Sequence, residues 1–183
     1  MPSAKNSPFI NMEKGLVHIY TGGGKGKTTA AVGLCLRCSK RGFKVGFTSF
    51  LKDFESGECL GDCPFKIFRF APFKGFWSDL SEDEKEVARQ SSNNALCDIF
   101  RIAEEEKYDL IALDEVLVAA ALGAVDTKLL IQKLVSRPQG LEVVMTGGIC
   151  PDEILEYADY ISEIKCIRHP YEKGIPARDG IEK

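Results

Sequence analysis

Residues 20–30, YTGGGKGKTTA, concentrate glycine, lysine and threonine between a predicted strand and a predicted helix. Backbone N–H groups at the start of such a helix can point at one spot, where the helix dipole is also positive. Lys27 can reach phosphate oxygens there, and the hydroxyl of Thr28 can ligate magnesium. Residues without a Cβ let the backbone approach such a ligand closely, and here they are Gly22, Gly23, Gly24 and Gly26. The stretch therefore predicts a site for a polyphosphate.

The charges of this stretch favour a polyphosphate site over a purely structural turn. The helix dipole contributes only about 0.3–1 kcal/mol per anion, whereas charge-assisted hydrogen bonds from Lys25 and Lys27 are roughly twice as strong as neutral ones. The strict phosphate-loop pattern, G-x-x-x-x-G-K-[ST], is not met, because Thr21 stands at the position of its first glycine. A tight strand-to-helix turn without a ligand is the alternative.

A pair of carboxylates forms the second candidate site. The apolar run LIAL leads directly into Asp114 and Glu115, so the two acids are expected where a buried strand ends at the carboxyl edge of a sheet. In phosphate-loop proteins an aspartate at this place holds magnesium, usually through water. Taken alone, the pair is more often the start of a helix. Together with the loop, it predicts a magnesium site at Thr28 and Asp114.

Short strand-like runs alternate with longer helical patterns along the chain. Several of the runs are apolar almost throughout, which is typical of strands covered on both faces. We predict an α/β fold with a mostly parallel six-stranded sheet and helices on both faces, of the phosphate-loop NTPase (RecA-like) type. The predicted strands span 16–20, 44–50, 66–70, 109–115, 142–146 and 160–167.

Four helices are predicted between these strands. The first lies within 28–41, directly after the glycine-rich stretch. The second begins at Ser81, where Glu84 completes a capping box, and extends to about Glu106. The third follows Asp126 and ends before the RPQG segment, and the fourth runs from Pro151 toward Ala158.

Composition and charge limit the remaining possibilities. A chain of 183 residues that is 44% hydrophobic is expected to form one domain, which we place at 16–183, preceded by an N-terminal arm at 1–15. A net charge of −3 argues against a nucleic-acid partner. No apolar run approaches the roughly 20 residues of a membrane span, and the first residues lack a signal-peptide core. We therefore predict no membrane association and a cytoplasmic location.

The seven cysteines are predicted to be free thiols. Cys35 and Cys38 form a C-x-x-C pair, but they fall inside a predicted helix, and the chain holds no second such pair. Buried helical cysteines are therefore favoured over a zinc or redox site. Cys59 and Cys63 lie in a polar loop, where metal ligation is a weaker alternative.

Together these segments resemble the ATP:corrinoid adenosyltransferases of the phosphate-loop type. The family's loop has the shortened form GxGKGKTT, which appears here as GGGKGKTT and accounts for Thr21. The resemblance continues through GFKVGFTSFLK, ALDEV and VVMTGG to ADYISEIKCIRHPYEKGIPARDGIEK, and it covers most of the chain.

The resemblance implies a reaction in which a cob(I) corrinoid attacks the ribose 5′ carbon of ATP and releases triphosphate. The expected substrates are ATP and a reduced corrinoid, either cob(I)alamin or a precursor such as cob(I)yrinic acid a,c-diamide, with Mg²⁺ as cofactor. No proton moves in the central step, so positioning and charge stabilisation carry the catalysis. A phosphate-loop NTPase or kinase, or a nucleotide- or corrinoid-binding relative without turnover, are the alternatives.

The resemblance also implies roles for particular residues. Lys27, Thr28 and Glu115 are the expected catalytic residues, and Asp114 and Glu115 serve magnesium and nearby ATP groups. The expected triphosphate-binding residues are Gly22, Gly23, Gly24, Lys25, Gly26, Lys27, Thr28 and Thr29.

Two departures from the family pattern concern the corrin ring and the phosphates. The family places loop aromatics against the corrin face, and here FKGFWSDL supplies Phe73, Phe76 and Trp77. The family commonly reads GFTW, whereas Phe76 and Trp77 are adjacent, so a core or subunit contact is the alternative for these rings. Gly148 stands where the family usually has arginine, and the cations that could replace it are Lys25, Arg168 and Arg178.

The remaining expectations concern partners and the C-terminal segment. His169 is expected to make a structural hydrogen bond rather than to ligate cobalt. By analogy with the family, the N-terminal arm covers a neighbouring subunit's site, which implies a homodimer. A flavoprotein is the expected electron donor.

Overall fold

The computed structural model of the protein describes residues 13–51, 62–70 and 77–181. Phe73, Phe76, Cys59 and most of the N-terminal arm lie outside the described residues. The strands are β1 (Val17–Thr21), β2 (Val45–Ser49), β3 (Lys66–Ile67), β4 (Leu110–Asp114), β5 (Glu142–Thr146) and β6 (Tyr160–Glu163).

These strands form one six-stranded sheet in the order β3-β2-β4-β5-β1-β6. Every recorded strand pair is parallel, so the predicted mostly parallel sheet is confirmed and is parallel throughout the described residues. The helices are α1 (Lys27–Ser39), α2 (Glu82–Glu105), α3 (Val116–Ala121), α4 (Thr127–Ser136) and α5 (Asp152–Leu155). Short 3₁₀ helices lie at Trp77–Asp79 and Pro170–Lys173.

Helix starts follow the capping chemistry of the sequence. The Ser81 side chain accepts from the Glu84 N–H, and the Glu84 carboxylate accepts from the Ser81 N–H, so the predicted capping box is present. The Asp126 carboxylate accepts from the N–H groups of Lys128 and Leu129. By contrast, the N-cap residue of α1 is Gly26, which has no side chain to cap the helix.

The sheet separates two hydrophobic cores. The α1-side core contains Ala31 and Cys35 of α1, packed on Val45, Phe47, Leu110, Ala112 and Val144 of the sheet. The opposite core is larger and packs Ile19, Ile111, Leu113 and Met145 against residues of α2, α3, α4 and α5. Helices on both faces are therefore confirmed.

Four predicted strands are too long. The strand predicted at 44–50 is one residue shorter at each end, Val45–Ser49. The strand predicted at 66–70 ends at Ile67, although the Phe68 N–H still donates to the Phe47 carbonyl. The strand predicted at 109–115 ends at Asp114, because Glu115 has a positive φ of 58°. The strand predicted at 160–167 ends at Glu163, because β1 also ends there and the following residues continue along the glycine-rich stretch.

Two helix predictions need correction. The helix predicted to run toward Ala158 ends at Leu155, because Tyr157 and Ala158 instead donate to carbonyls three residues back, as in a 3₁₀ turn. The helix α3 was not predicted, since its six residues follow directly on a strand. Within the described ranges, no helix has the length and apolar character needed to cross a membrane.

Candidate functional site

The glycine loop, residues 21–26, connects β1 to α1 at the carboxyl edge of the sheet. Gly22 and Gly26 have φ values of 97° and 119°, a conformation that side chains bearing a Cβ rarely adopt. The chain therefore enters α1 through a bend that only glycine adopts without strain. This geometry provides backbone donors at the positive end of a helix.

Two of the loop glycines are required by packing against the C-terminal segment. A Cβ on Gly24 would lie 2.7 Å from the Ile164 carbonyl oxygen, and one on Gly22 would lie 2.6 Å from the same atom. The Gly24 N–H donates to that oxygen at 2.7 Å. A Cβ on Gly23 or Gly26 would meet no atom within 4 Å. The segment after β6 thus fixes one side of the loop, while the other side is open.

Lys27 lies across the glycine loop. Its Nζ donates to the carbonyl oxygens of Gly22 and Gly24, each at 2.7 Å. These two carbonyls therefore hold the ammonium group over the loop, on the backbone that an anion would also contact. Lys25 is directed elsewhere, since its Nζ donates to the Ile181 carbonyl at 2.8 Å.

Asp114 receives hydroxyl hydrogen bonds from two different elements. The Thr28 Oγ1 donates to its Oδ1 at 2.9 Å, and the Thr146 Oγ1 donates to the same oxygen at 2.7 Å. Asp114 is completely buried. A buried carboxylate without such partners would be costly, so these hydroxyls stabilise it and connect the start of α1 to the ends of β4 and β5.

Glu115 follows with a backbone conformation that is uncommon for a residue with a side chain. Its φ is 58° and its ψ is 13°, and it forms the N-cap of α3 without a side-chain cap. The Glu115 N–H donates to the Thr146 hydroxyl at 2.9 Å. Conformations of this kind cost free energy and cluster at functional sites.

The strand-end cluster, which we define as Ser49, Asp114 and Thr146, forms a row across the ends of β2, β4 and β5. Ser49 is in register with Asp114. Leu113 is in register with Met145, so Asp114 and Thr146 are the next pair along these parallel strands. Alternation along each strand puts all three on the face of the α1-side core.

The donor set fits a magnesium ion that binds mainly through a nucleotide. No group of three or more His, Cys, Asp or Glu residues suited to a metal occurs among the residues described. A Thr28 hydroxyl beside the single Asp114 carboxylate is instead suited to Mg²⁺, which keeps several waters and binds phosphates through one or two protein ligands. Thr28 donates its hydrogen to Asp114, so a cation would contact this hydroxyl on the acceptor side of its oxygen.

Position 148 lies beside the glycine loop. The nearest atom to a Cβ on Gly148 would be the Gly22 carbonyl oxygen, at 4.0 Å. An arginine at this position, as in the family pattern, would thus start next to the loop. Of the three cations considered as replacements, Lys25 contacts Ile181, while Arg168 and Arg178 are exposed in the C-terminal segment.

Trp77 lies on the other side of the sheet. It is half-buried and packs against the opposite core, whereas the glycine loop and Asp114 belong to the α1 side. The structure therefore brings together Lys27, Thr28, Asp114 and Glu115, but it does not place Trp77 in that group. The prediction that Phe76 contacts a corrin ring lies outside the described residues.

The C-x-x-C pair and His169 have the structural character expected of them. Burial raises the pKa of Cys35 to about 12 and that of Cys38 to about 11, so both thiols are protonated at neutral pH. Both are free cysteines of α1. The His169 ring accepts a hydrogen bond from the Tyr171 N–H through Nδ1 at the start of a 3₁₀ helix.

Sequence reasoning missed Thr146, Ser49 and Ile164 as parts of the site. Thr146 and Ser49 are polar residues near the end of otherwise apolar strands, and that position was the available signal. No local pattern indicates Ile164, because its contact with the glycine loop depends on the pairing of β6 with β1.

Known proteins of one family are similar in sequence to nearly the whole chain. Residues 13–182 match the family described as ATP:corrinoid adenosyltransferase BtuR/CobO/CobP. The corrinoid adenosyltransferase of Escherichia coli (strain K12) is 32% identical over 173 residues, covering 93% of this chain and 86% of that protein. The corrinoid adenosyltransferase CobA of Salmonella typhimurium (strain LT2) is 30% identical over 177 residues, with the same two coverages. The chain therefore belongs to the ATP:corrinoid adenosyltransferase family.

Proposed function

We propose that this protein transfers the 5′-deoxyadenosyl group of ATP to the cobalt of a reduced cob(I) corrinoid and releases triphosphate. The observation that carries the proposal is the hydrogen bond from Thr28 to the buried Asp114, which joins the first turn of α1, directly after the glycine loop, to a carboxylate at the strand ends. Membership of the family supports ATP and a corrinoid as the substrates.

In this reaction an electron pair on cobalt attacks the ribose 5′ carbon of ATP. The cobalt–carbon bond forms as the bond between that carbon and the triphosphate oxygen breaks, and the electron pair of the broken bond leaves with triphosphate. Negative charge therefore grows on the leaving group, and groups already aimed at it lower the barrier. No side chain has to transfer a proton in this step.

The glycine loop is proposed to hold the departing triphosphate. Lys27 supplies a positive charge over the loop, and the first N–H groups of α1 supply donors at the positive end of the helix. The bare backbone at Gly23 and Gly26 leaves room for phosphate oxygens on the open side. We assign triphosphate contacts to the same residues as the sequence predicts: Gly22, Gly23, Gly24, Lys25, Gly26, Lys27, Thr28 and Thr29.

Thr28 and Asp114 are proposed to hold Mg²⁺, Thr28 through its hydroxyl oxygen and Asp114 through water. When bound, the cation neutralises charge on the triphosphate and orients it. Thr146 keeps the Asp114 carboxylate in place by donating to it. Glu115, strained into a positive φ beside this carboxylate, is proposed to contact the hydrated cation or nearby ATP groups.

The corrinoid and the partners are proposed from the family resemblance. The substrate is cob(I)alamin or an earlier precursor such as cob(I)yrinic acid a,c-diamide, with Phe76 and Trp77 against the corrin ring. A flavoprotein supplies the electron that produces cob(I), and two copies associate as a homodimer in the cytoplasm. The proposed triphosphate site in the glycine loop does not depend on these assignments.

Product analysis tests the proposal. Chemically reduced cobalamin or cob(I)yrinic acid a,c-diamide is mixed with ATP, Mg²⁺ and the protein, and the visible spectrum is followed before and after illumination. We expect a light-sensitive alkyl-cobalt spectrum and one triphosphate per adenosyl group, measured by ³¹P NMR. ADP and phosphate as products, or no cobalt–carbon bond with either corrinoid, would contradict the proposal.

A further inference from the structure

Ser49 ends β2 beside the candidate magnesium site, and its hydroxyl has no partner among the residues described. Its Oγ is the buried side-chain oxygen or nitrogen atom in these residues that lacks a hydrogen bond. The residue is only 7% exposed. Buried hydroxyls are normally hydrogen-bonded, so an exception calls for a ligand, a water or an ion.

The position of Ser49 relates this hydroxyl to Asp114. The two residues are in register on neighbouring parallel strands, and the Phe50 N–H donates to the Asp114 carbonyl at 3.0 Å. Alternation with Val45 and Phe47, which belong to the α1-side core, puts Ser49 on the face where Thr28 meets Asp114. Ser49 is thus the third polar member of the strand-end cluster.

The three members of the cluster differ in how they are satisfied. Thr146 donates to Asp114 and accepts from the Glu115 N–H, so both functions of its hydroxyl are used within the chain. Asp114 accepts from Thr28 and Thr146. Ser49 alone keeps a hydroxyl that can both donate and accept.

A water bound to a cation suits such a hydroxyl. Mg²⁺ loses its waters reluctantly and usually retains several of them in protein sites. Those waters donate strongly, so they need acceptors, and Asp114 is a carboxylate acceptor already shared by two hydroxyls. The neutral Ser49 oxygen adds an acceptor without adding a second buried charge.

We propose that Ser49 is a positioning residue for the nucleotide's magnesium ion, and that its hydroxyl accepts a hydrogen bond from a water of the hydrated cation beside Asp114. This inference rests on the proposed function, because the cation is brought by ATP. It assigns to the end of β2 a role in ordering the hydrated metal, and it requires no direct contact between Ser49 and the nucleotide.

The test compares ATP binding with and without metal. Isothermal titration calorimetry measures the Kd of ATP in Mg²⁺ and in EDTA, for the wild-type protein and for Ser49→Ala, with no corrinoid present. We expect Ser49→Ala to raise the Kd in Mg²⁺ about threefold to tenfold, the effect of one hydrogen bond, and to leave the Kd in EDTA unchanged. Its melting temperature without ligands should not fall, because the hydroxyl has no partner in the part of the chain that the structure describes.

Thr48→Val is the matched control. Thr48 is also buried at the end of β2, but its hydroxyl donates to the Phe68 carbonyl at 3.1 Å and faces the other side of the sheet. We expect Thr48→Val to lower the melting temperature and to leave the ratio of the two Kd values unchanged.

Three results would contradict either the proposed function or the role of Ser49, and the measurements distinguish these cases. If the wild-type protein binds ATP equally with and without Mg²⁺, the proposed function itself fails at this site. If the wild-type protein shows a metal effect that Ser49→Ala retains in full, only the role of Ser49 fails. If Ser49→Ala lowers the melting temperature as Thr48→Val does, its hydroxyl is bonded within the chain and the proposal is wrong.

Discussion

The glycine loop acts through its backbone, whereas the strand-end cluster acts through side chains. In the loop, two glycines at positive φ shape the chain and two carbonyls hold Lys27. In the cluster, the buried Asp114 is held by the hydroxyls of Thr28 and Thr146. We therefore expect substitutions that add atoms to disturb the glycine loop, and substitutions that remove polar atoms to disturb the strand-end cluster.

The two halves also differ in where their support comes from. The loop is held by the segment after β6, through the Ile164 carbonyl, and the Ile181 carbonyl accepts a hydrogen bond from Lys25. The cluster is held by the three central strands, whose residues are almost all buried. Thr28 is the residue that connects the halves, because it lies in the first turn of α1 and donates to Asp114.

The largest effect is expected at Lys27, whose ammonium group lies over the glycine loop. Lys27→Ala should lower kcat/KM for triphosphate release by about 10²–10³-fold, the range for losing one preorganised group that stabilises developing charge. Steady-state kinetics with ³¹P detection measures this loss, and circular dichroism checks that the variant is folded. Lys25→Ala is the comparison and should lower kcat/KM less than Lys27→Ala does, because the Lys25 ammonium group donates to the Ile181 carbonyl and does not lie over the loop carbonyls. A similar loss in both variants would contradict the separate roles.

Adding one carbon to the loop is the next test. A Cβ at Gly24 would lie 2.7 Å from the Ile164 carbonyl oxygen and 2.8 Å from the Lys165 carbonyl carbon, both backbone atoms that cannot move alone. Gly24→Ala should therefore cost about 1–3 kcal/mol of unfolding free energy, measured by urea denaturation, and weaken ATP binding.

The neighbouring glycine provides the comparison for that measurement. A Cβ on Gly23 would meet no atom within 4 Å, and its φ is not positive, so Gly23→Ala should change the unfolding free energy by no more than about 0.5 kcal/mol. Equal destabilisation by the two substitutions would mean that packing against Ile164 does not govern the loop.

Removing one oxygen from the strand-end cluster has the complementary effect. Thr146→Val keeps the shape of the side chain but leaves the Glu115 N–H and the Asp114 carboxylate without their shared partner. We expect a loss of about 1–3 kcal/mol in unfolding free energy, by the same urea titration. Thr146→Ser, which keeps the hydroxyl, should recover most of it. A Thr146→Val variant as stable as the wild type would show that this bridge contributes little.

The smallest expected effect is a gain. Gly148→Arg introduces the arginine of the family pattern at a position where a Cβ has 4.0 Å of clearance to Gly22 and no positive φ is required. One charge-assisted hydrogen bond to phosphate should lower the Kd of triphosphate about tenfold, measured by calorimetry. Gly148→Ala is the control and should leave this Kd unchanged. An unchanged or higher Kd in Gly148→Arg would mean that position 148 does not face the bound anion.

The contrast between the glycine loop and the strand-end cluster also explains which parts of the site could be predicted from the sequence. The glycine loop is contiguous, so its residue types and spacing are sufficient to indicate a strand, a bend and a helix start. Asp114 follows directly on an apolar strand, which is also a local pattern. The fold class and order of elements follow from the alternation of such local patterns.

The contacts that complete the site are not local. Strand register alone brings Ser49 beside Asp114 and brings Thr146, 32 residues away in the chain, within hydrogen-bonding distance of it. Ile164 meets the loop because β6 pairs beside β1. Strand ends were overestimated at 66–70, 109–115 and 160–167, because a strand stops where its partner stops or where φ changes sign, and neither is visible in composition.

A crystal structure of the wild-type protein with ATP and Mg²⁺ tests the central claim most directly. We predict that the triphosphate lies in the glycine loop beside Lys27, with the cation on the Thr28 hydroxyl oxygen and within water-bridged reach of Asp114. Phosphates bound outside the loop, or a cation remote from both Thr28 and Asp114, would contradict the account.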